Sequence, residues 1–104
     1  MELSRGQIKR LRAEGHRQRL KPVVTIGSKG LSDSLQAEID RALGHHELVK
    51  LRIPPLARTD KRALGESICQ QHGALLVESI GNVIVIYRRN AEKDRYAALL
   101  QARA

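Results

Sequence analysis

The chain has 104 residues, of which 41% are apolar and 29% charged, with one cysteine, Cys69. A lone cysteine excludes an internal disulfide, and no apolar run approaches the ~20 residues that a membrane helix needs. The N-terminus, MELSRGQIKR, lacks the apolar stretch of a signal peptide. One soluble domain with a modest core, in the cytoplasm and free of membrane, is therefore expected.

The net charge is +8, and its distribution is informative. Residues 1–21 carry seven Lys/Arg against two acids. Residues 22–87 balance at seven of each, and residues 88–104 carry five against two. Two basic ends flank a neutral centre, the electrostatic footprint of a polyanion partner. Aromatic residues amount to 2%, Tyr87 and Tyr96. That disfavours stacking several bases on an aromatic sheet face, so backbone and shape are expected to dominate recognition.

In chain order, residues 3–20 read as a helix, with Ser4 and Gln7 at the spacing of a capping box. Ile8, Leu11 and Gly15 fall on its inner side. Arg5, Lys9, Arg12, His16 and Arg19 form a stripe about 80° wide at ~100° per residue. A solvated face usually mixes charge signs, and this stripe has no acid of its own. Lys21-Pro22 ends the helix. Val23–Ile26 is a β-branched strand. A second helix runs from Ser32, its N-cap, to His45, with Gly44 near its end. Leu48, Val49, Leu51 and Ile53 form a second strand with Lys50 and Arg52 on the alternate face, stopped by Pro54-Pro55. Residues 59–72 read as a third helix, started by Thr59 or Asp60 and closed by Gly73. Strands at 75–79 and 83–87 are joined by a Gly81-Asn82 turn that begins with glycine. Residues 91–104 fit a short helix or a tail. The order α-β-α-β-α-β-β specifies a single compact α/β domain, a mixed four-stranded sheet packed with helices. Residues 1–89 form the domain and 90–104 a basic C-terminal tail or short helix.

Gly27-Ser28-Lys29-Gly30 is the sharpest local feature. It joins a buried strand to a helix N-terminus, where free N–H groups and the helix dipole favour an anion. Glycines allow a phosphate backbone to approach, and Lys29 adds charge. The loop is too short for a P-loop and does not fit G-x-G-x-x-G. On its own such a turn is equally explained by strand-to-helix geometry.

Other chemistry is sparse. His45 and His46 are adjacent on a helix and point about 100° apart, a poor pair for one ion. His16 and His72 add no ligand spacing, so neither metal nor cofactor is expected. Cys69 reads as a small buried hydrophobe. The serines lack a G-x-S-x-G setting. No catalytic constellation emerges, so neither an enzyme nor a small-molecule substrate is expected.

Three motifs in register carry a resemblance. Leu20–Val24 followed by Ile26–Leu31, then His46–Leu51, then Ile80-Gly81-Asn82 with Val85–Arg88, together resemble the CRM domain, the chloroplast RNA splicing and ribosome maturation family. The chain resembles its stand-alone bacterial YhbY-type members. The resemblance implies a fold similar to the C-terminal domain of initiation factor three and RNA binding through the GxxG loop and adjacent basic surface. It also implies a role in assembly of the large ribosomal subunit. Carried onto this sequence, Gly27, Ser28, Lys29 and Gly30 form the loop. Arg5, Lys9, Arg12, Arg19 and Lys21 flank it, the stripe resting as much on spacing as on the family. Lys50 and Arg88 match family positions that bind RNA or serve the fold. The expected partner is RNA, precursor large-subunit ribosomal RNA or its particle, met by a monomer. The alternative is a protein-interaction module docking on an acidic protein surface.

Overall fold

The computed structural model describes residues 2–101. Helix α1 (Arg5–Gln18) begins at the expected capping box. The Gln7 N–H donates to Ser4 Oγ at 3.1 Å, and the Ser4 N–H donates to Gln7 Oε1 at 2.8 Å. Two of the helix's orphan donors are thereby used. The helix stops before Lys21-Pro22, because Arg19 turns left-handed at φ 53°. The Leu20 N–H then reaches back to the Gly15 carbonyl and the Arg19 N–H to that of His16, a Schellman closure.

Strand β1 (Pro22–Thr25) leads through the glycine loop to α2 (Asp33–His46). Ser32 caps α2 by accepting the Leu35 N–H at 3.1 Å. Gly44 lies near the end of this helix, as expected, and the chain turns at Glu47, with φ 62° and ψ −46°. Strand β2 (Leu48–Arg52) follows, then α3 (Arg58–His72). The expected caps Thr59 and Asp60 lie inside α3, which starts after Ala57 with no side-chain cap. Strands β3 (Leu75–Ile80) and β4 (Val83–Tyr87) form the closing hairpin. Gly81 has φ +55°, the glycine-first turn. A fourth helix, α4 (Ala97–Gln101), completes the described chain.

The strand order is β1-β2-β4-β3, with β1 parallel to β2 and the other pairs antiparallel. The sheet is therefore mixed, as expected. Alternation along each strand divides two cores. Val24, Ile26, Val49, Leu51, Ile84 and Ile86 meet α2 and α3 on one face. Leu48, Val77, Val85 and Tyr87 meet Leu11 of α1 and Tyr96 beside α4 on the other. The glycine loop and the Gly81-Asn82 turn share one end of the sheet, the distal end. Lys21, Glu47 and Arg88 lie at the opposite, proximal end.

Residues 90–101 pack on the same core as the rest. Tyr96 is buried edge-on to Tyr87, with ring centroids 6.0 Å apart. Gln7 and Gln18 of α1 donate to the Leu100 carbonyl and the Tyr96 hydroxyl.

Candidate nucleic-acid interface

The glycine loop stands clear of the domain. Ser28 and Lys29 are exposed, and the Gly30 N–H closes a turn onto the Gly27 carbonyl at 3.0 Å. The two glycines answer different demands. Gly30 sits at φ +83°, where an L side chain is strained. Gly27 lies outside the left-handed region, and a Cβ placed there meets nothing within 4 Å. The fold itself therefore requires glycine at 30 and not at 27. The helix end behind the loop is less open to an anion than its position suggests. Ser32 already accepts the Leu35 N–H, and Asp33 places a carboxylate in the first turn. An anion here would meet the loop amides and Lys29 first.

Arg5, Lys9, Arg12 and His16 are exposed along α1. Arg19 leaves the stripe, because it lies one residue past the helix in the left-handed conformation. The stripe also acquires an acid from elsewhere: His16 Nε2 lies 2.8 Å from Glu78 of β3. That contact sets the stripe toward the β3 side, whereas the glycine loop leaves β1, the opposite edge. Helix and loop are thus two flanks of one face.

Between them runs a row of side chains across the distal end. Thr25 pairs with Arg52, Arg52 with Val83, and Val83 with Ile80. All four lie on the α1 side, and Thr25, Arg52 and Ile80 are exposed. Arg52 therefore stands nearer the middle of this face than most residues singled out from the sequence. Its signal was its alternation with Lys50, which shows a shared face but not that helices leave that part of the sheet bare.

Lys50 lies on the same face, half-buried, one pleat toward the proximal end. Lys21 is exposed where the chain enters β1. Among the described residues, no ion pair holds Arg5, Lys9, Arg12, Lys21, Lys29, Lys50 or Arg52.

Arg88 is placed differently. It follows β4 at the proximal end, and its guanidinium donates to Asp40 Oδ1 at 2.8 Å, the Asp40 carbonyl at 3.1 Å and the His72 carbonyl at 3.2 Å. It clamps α2, α3 and β4 and does not converge with the loop. The hydrogen bond from Arg88 holds the Asp40 carboxyl below the usual carboxylate range. Burial lowers the His72 pKa, partly offset by Asp40. Cys69 is buried, and desolvation pushes its thiol to about 11, so it is a packed hydrophobe and a poor nucleophile.

An α/β domain whose sheet face carries unpaired cations between an exposed glycine loop and a basic helix has the features of a nucleic-acid-binding module. The family model described as the "CRS1 / YhbY (CRM) domain" matches residues 3–88. The chain belongs to this family. It is 38% identical over 95 residues to the Pseudomonas aeruginosa "Probable RNA-binding protein PA4753", covering 91% of this chain and 89% of that relative. A Haemophilus influenzae "RNA-binding protein" is 38% identical over 73 residues, covering 70% and 74% of the two chains. The Bacillus subtilis "Probable RNA-binding protein YqeI" is 33% identical over 91 residues, covering 86% and 93%. Among solved structures, that of the Staphylococcus aureus protein SAV1595, described as "a putative RNA binding protein", superposes with a TM-score of 0.76. Identity to it is 31%, with 86% of this chain and 91% of that one covered. Among the described residues, no helix is long and apolar enough to cross a membrane.

Proposed function

We propose that this protein is a non-catalytic RNA-binding protein that grips phosphates across the distal sheet face. Its target is structured precursor ribosomal RNA of the large subunit, which it meets in the cytoplasm as a monomer during assembly. Gly27–Gly30 admits a phosphate backbone at one flank. Arg5, Lys9 and Arg12 provide charge at the other, and Arg52 and Lys50 lie between. Lys21 extends the cationic surface proximally. Arg88 serves the fold, and Arg19 is peripheral.

The observation that carries the reading is Gly27. Neither backbone conformation nor internal packing demands glycine there, as is expected of a position left bare for close approach from outside. The names of the relatives support RNA as the polyanion. The test is recovery of RNA crosslinked to the protein in cells. Enrichment of large-subunit precursor sequences over other RNA is the expected result. A pull-down whose protein partners survive complete nuclease digestion, with no RNA enriched, would support docking on an acidic protein surface instead.

A further inference from the structure

A cleft of about 610 Å³ opens on the α1 side of the sheet, between the end of α1, strands β1 and β2, and α4. Its walls are part apolar, with Leu20, Val23 and Leu99, and Val23 is 50% exposed. Cations stand around them: Lys21, Lys50 and Arg95 line the cleft, and none is held by an ion pair among the described residues. Among the described residues, the one acid in the lining, Glu14, is occupied by Arg17 and Gln18.

Unpaired cations beside an apolar patch formed by Leu20, Val23 and Leu99 suit a ligand that is anionic at one end and flat and weakly polar at the other. The volume lies within the range of small-ligand sites. Position narrows the choice. Val23 precedes Thr25, and Lys50 precedes Arg52, by one pleat on the same face, so the cleft adjoins the β1–β2 end of the row, where the chain leads into the glycine loop. A nucleic-acid strand crossing that row reaches the cleft without leaving the face. We infer that the cleft holds one unstacked nucleotide of bound RNA. Its base lies against Val23, Leu20 and Leu99, and its phosphate lies near Lys50, Lys21 and Arg95. This rests on the RNA-binding reading above and adds a preference for an unpaired nucleotide beside a structured element, the usual target of base-level RNA recognition.

Amide chemical shifts of the full chain, titrated with a uridine tetranucleotide, a blunt RNA duplex and a tetraglutamate peptide, test the inference. The tetranucleotide is expected to move Val23, Lys50 and Leu99, whereas the duplex moves the loop and the row at Arg52 but not the cleft. Val23→Trp fills the hollow without removing charge. It should weaken tetranucleotide binding by about tenfold, the loss of one nucleotide contact of about 1.4 kcal/mol, and leave duplex affinity within about twofold. Because Val23 belongs to β1, Ala98→Trp on the exposed side of α4 provides a second filling variant outside the sheet, with the same expectation. Tetranucleotide shifts confined to the glycine loop would overturn the cleft and leave the RNA reading standing. Cleft shifts produced equally by tetraglutamate would reassign it to acidic peptide. No response to either RNA would overturn both readings.

Discussion

The carboxylate of Glu47, fully buried, accepts the backbone N–H of Arg95 at 3.0 Å, 48 residues along the chain. Its other oxygen accepts the Asn90 N–H at 3.1 Å, and its carbonyl accepts the Arg88 N–H at 2.9 Å. One acid at the end of α2 thus fixes the path of residues 88–95 and, through Tyr96, seats α4 against α1. Hydrogen bonds to a charged group contribute about 1.5–3 kcal/mol each. Glu47→Ala should lower unfolding free energy by about 2–4 kcal/mol, two such bonds less partial relaxation. Hydrogen exchange should show protection falling most at residues 90–101. Uniform loss across the sheet would mean that Glu47 does not organise this segment in particular.

The two loop glycines should separate fold from binding. Gly30→Ala forces an L residue to φ +83° and should cost about 1–2 kcal/mol. Gly27→Ala should leave stability unchanged within about 0.5 kcal/mol and still weaken RNA binding. Thermal unfolding and filter binding on the same preparations check both. Equal RNA affinity for Gly27→Ala and the parent protein would remove the loop from the interface.

Arg88→Ala should behave in the opposite way. Removing the clamp to Asp40 and the His72 carbonyl should cost about 1–2 kcal/mol, read as a lower denaturation midpoint. RNA affinity of the folded variant should stay within about twofold. A large loss of affinity at full stability would place Arg88 at the interface after all.

Acid should destabilise the fold in two stages. Folding lowers the His72 pKa, so the unfolded chain binds the proton more readily. Stability is full above the ordinary imidazole value of about 6.5 and declines as pH falls below it. Folding also lowers the Asp40 pKa through Arg88. That contribution is present above the ordinary carboxylate value and is lost as pH falls through the depressed one. Denaturant midpoints across pH should flatten in the upper stage for His72→Gln and become shallower in the lower stage for Asp40→Asn, where Glu14 and Asp94, lowered by hydrogen bonds from Arg17 and Arg89, keep part of the slope.

Most of the fold was legible in the sequence because its signals are local. The Ser4–Gln7 box, the Ser32 cap, the period-2 run at Leu48–Ile53 and the Gly81-Asn82 turn each act over a few residues. What could not be read is what distant chain decides. Gly44 marked the neighbourhood of the helix end, but not the turn itself, made at Glu47, whose unfavourable backbone is stabilised by contacts with residues 88–95. Residues 91–101 lacked a clear pattern because their order comes from that acid and from α1. The loop and basic stripe were visible as residues. That His16 meets β3 while the loop leaves the opposite edge, β1, was not, since strand order is a tertiary property. For the same reason neither the clamp that Arg88 makes to Asp40 and the His72 carbonyl nor the exposure of Arg52 was legible.

The most direct test is the salt dependence of affinity for a structured large-subunit ribosomal RNA fragment, measured for the parent protein and for Arg52→Ala. If the face neutralises about five phosphates, log affinity should fall against log salt with a slope of about −3.5 to −4.5. Loss of Arg52 should reduce that slope by about one contact. A slope near zero, or one unchanged in Arg52→Ala, would contradict a phosphate-gripping face centred on this part of the sheet.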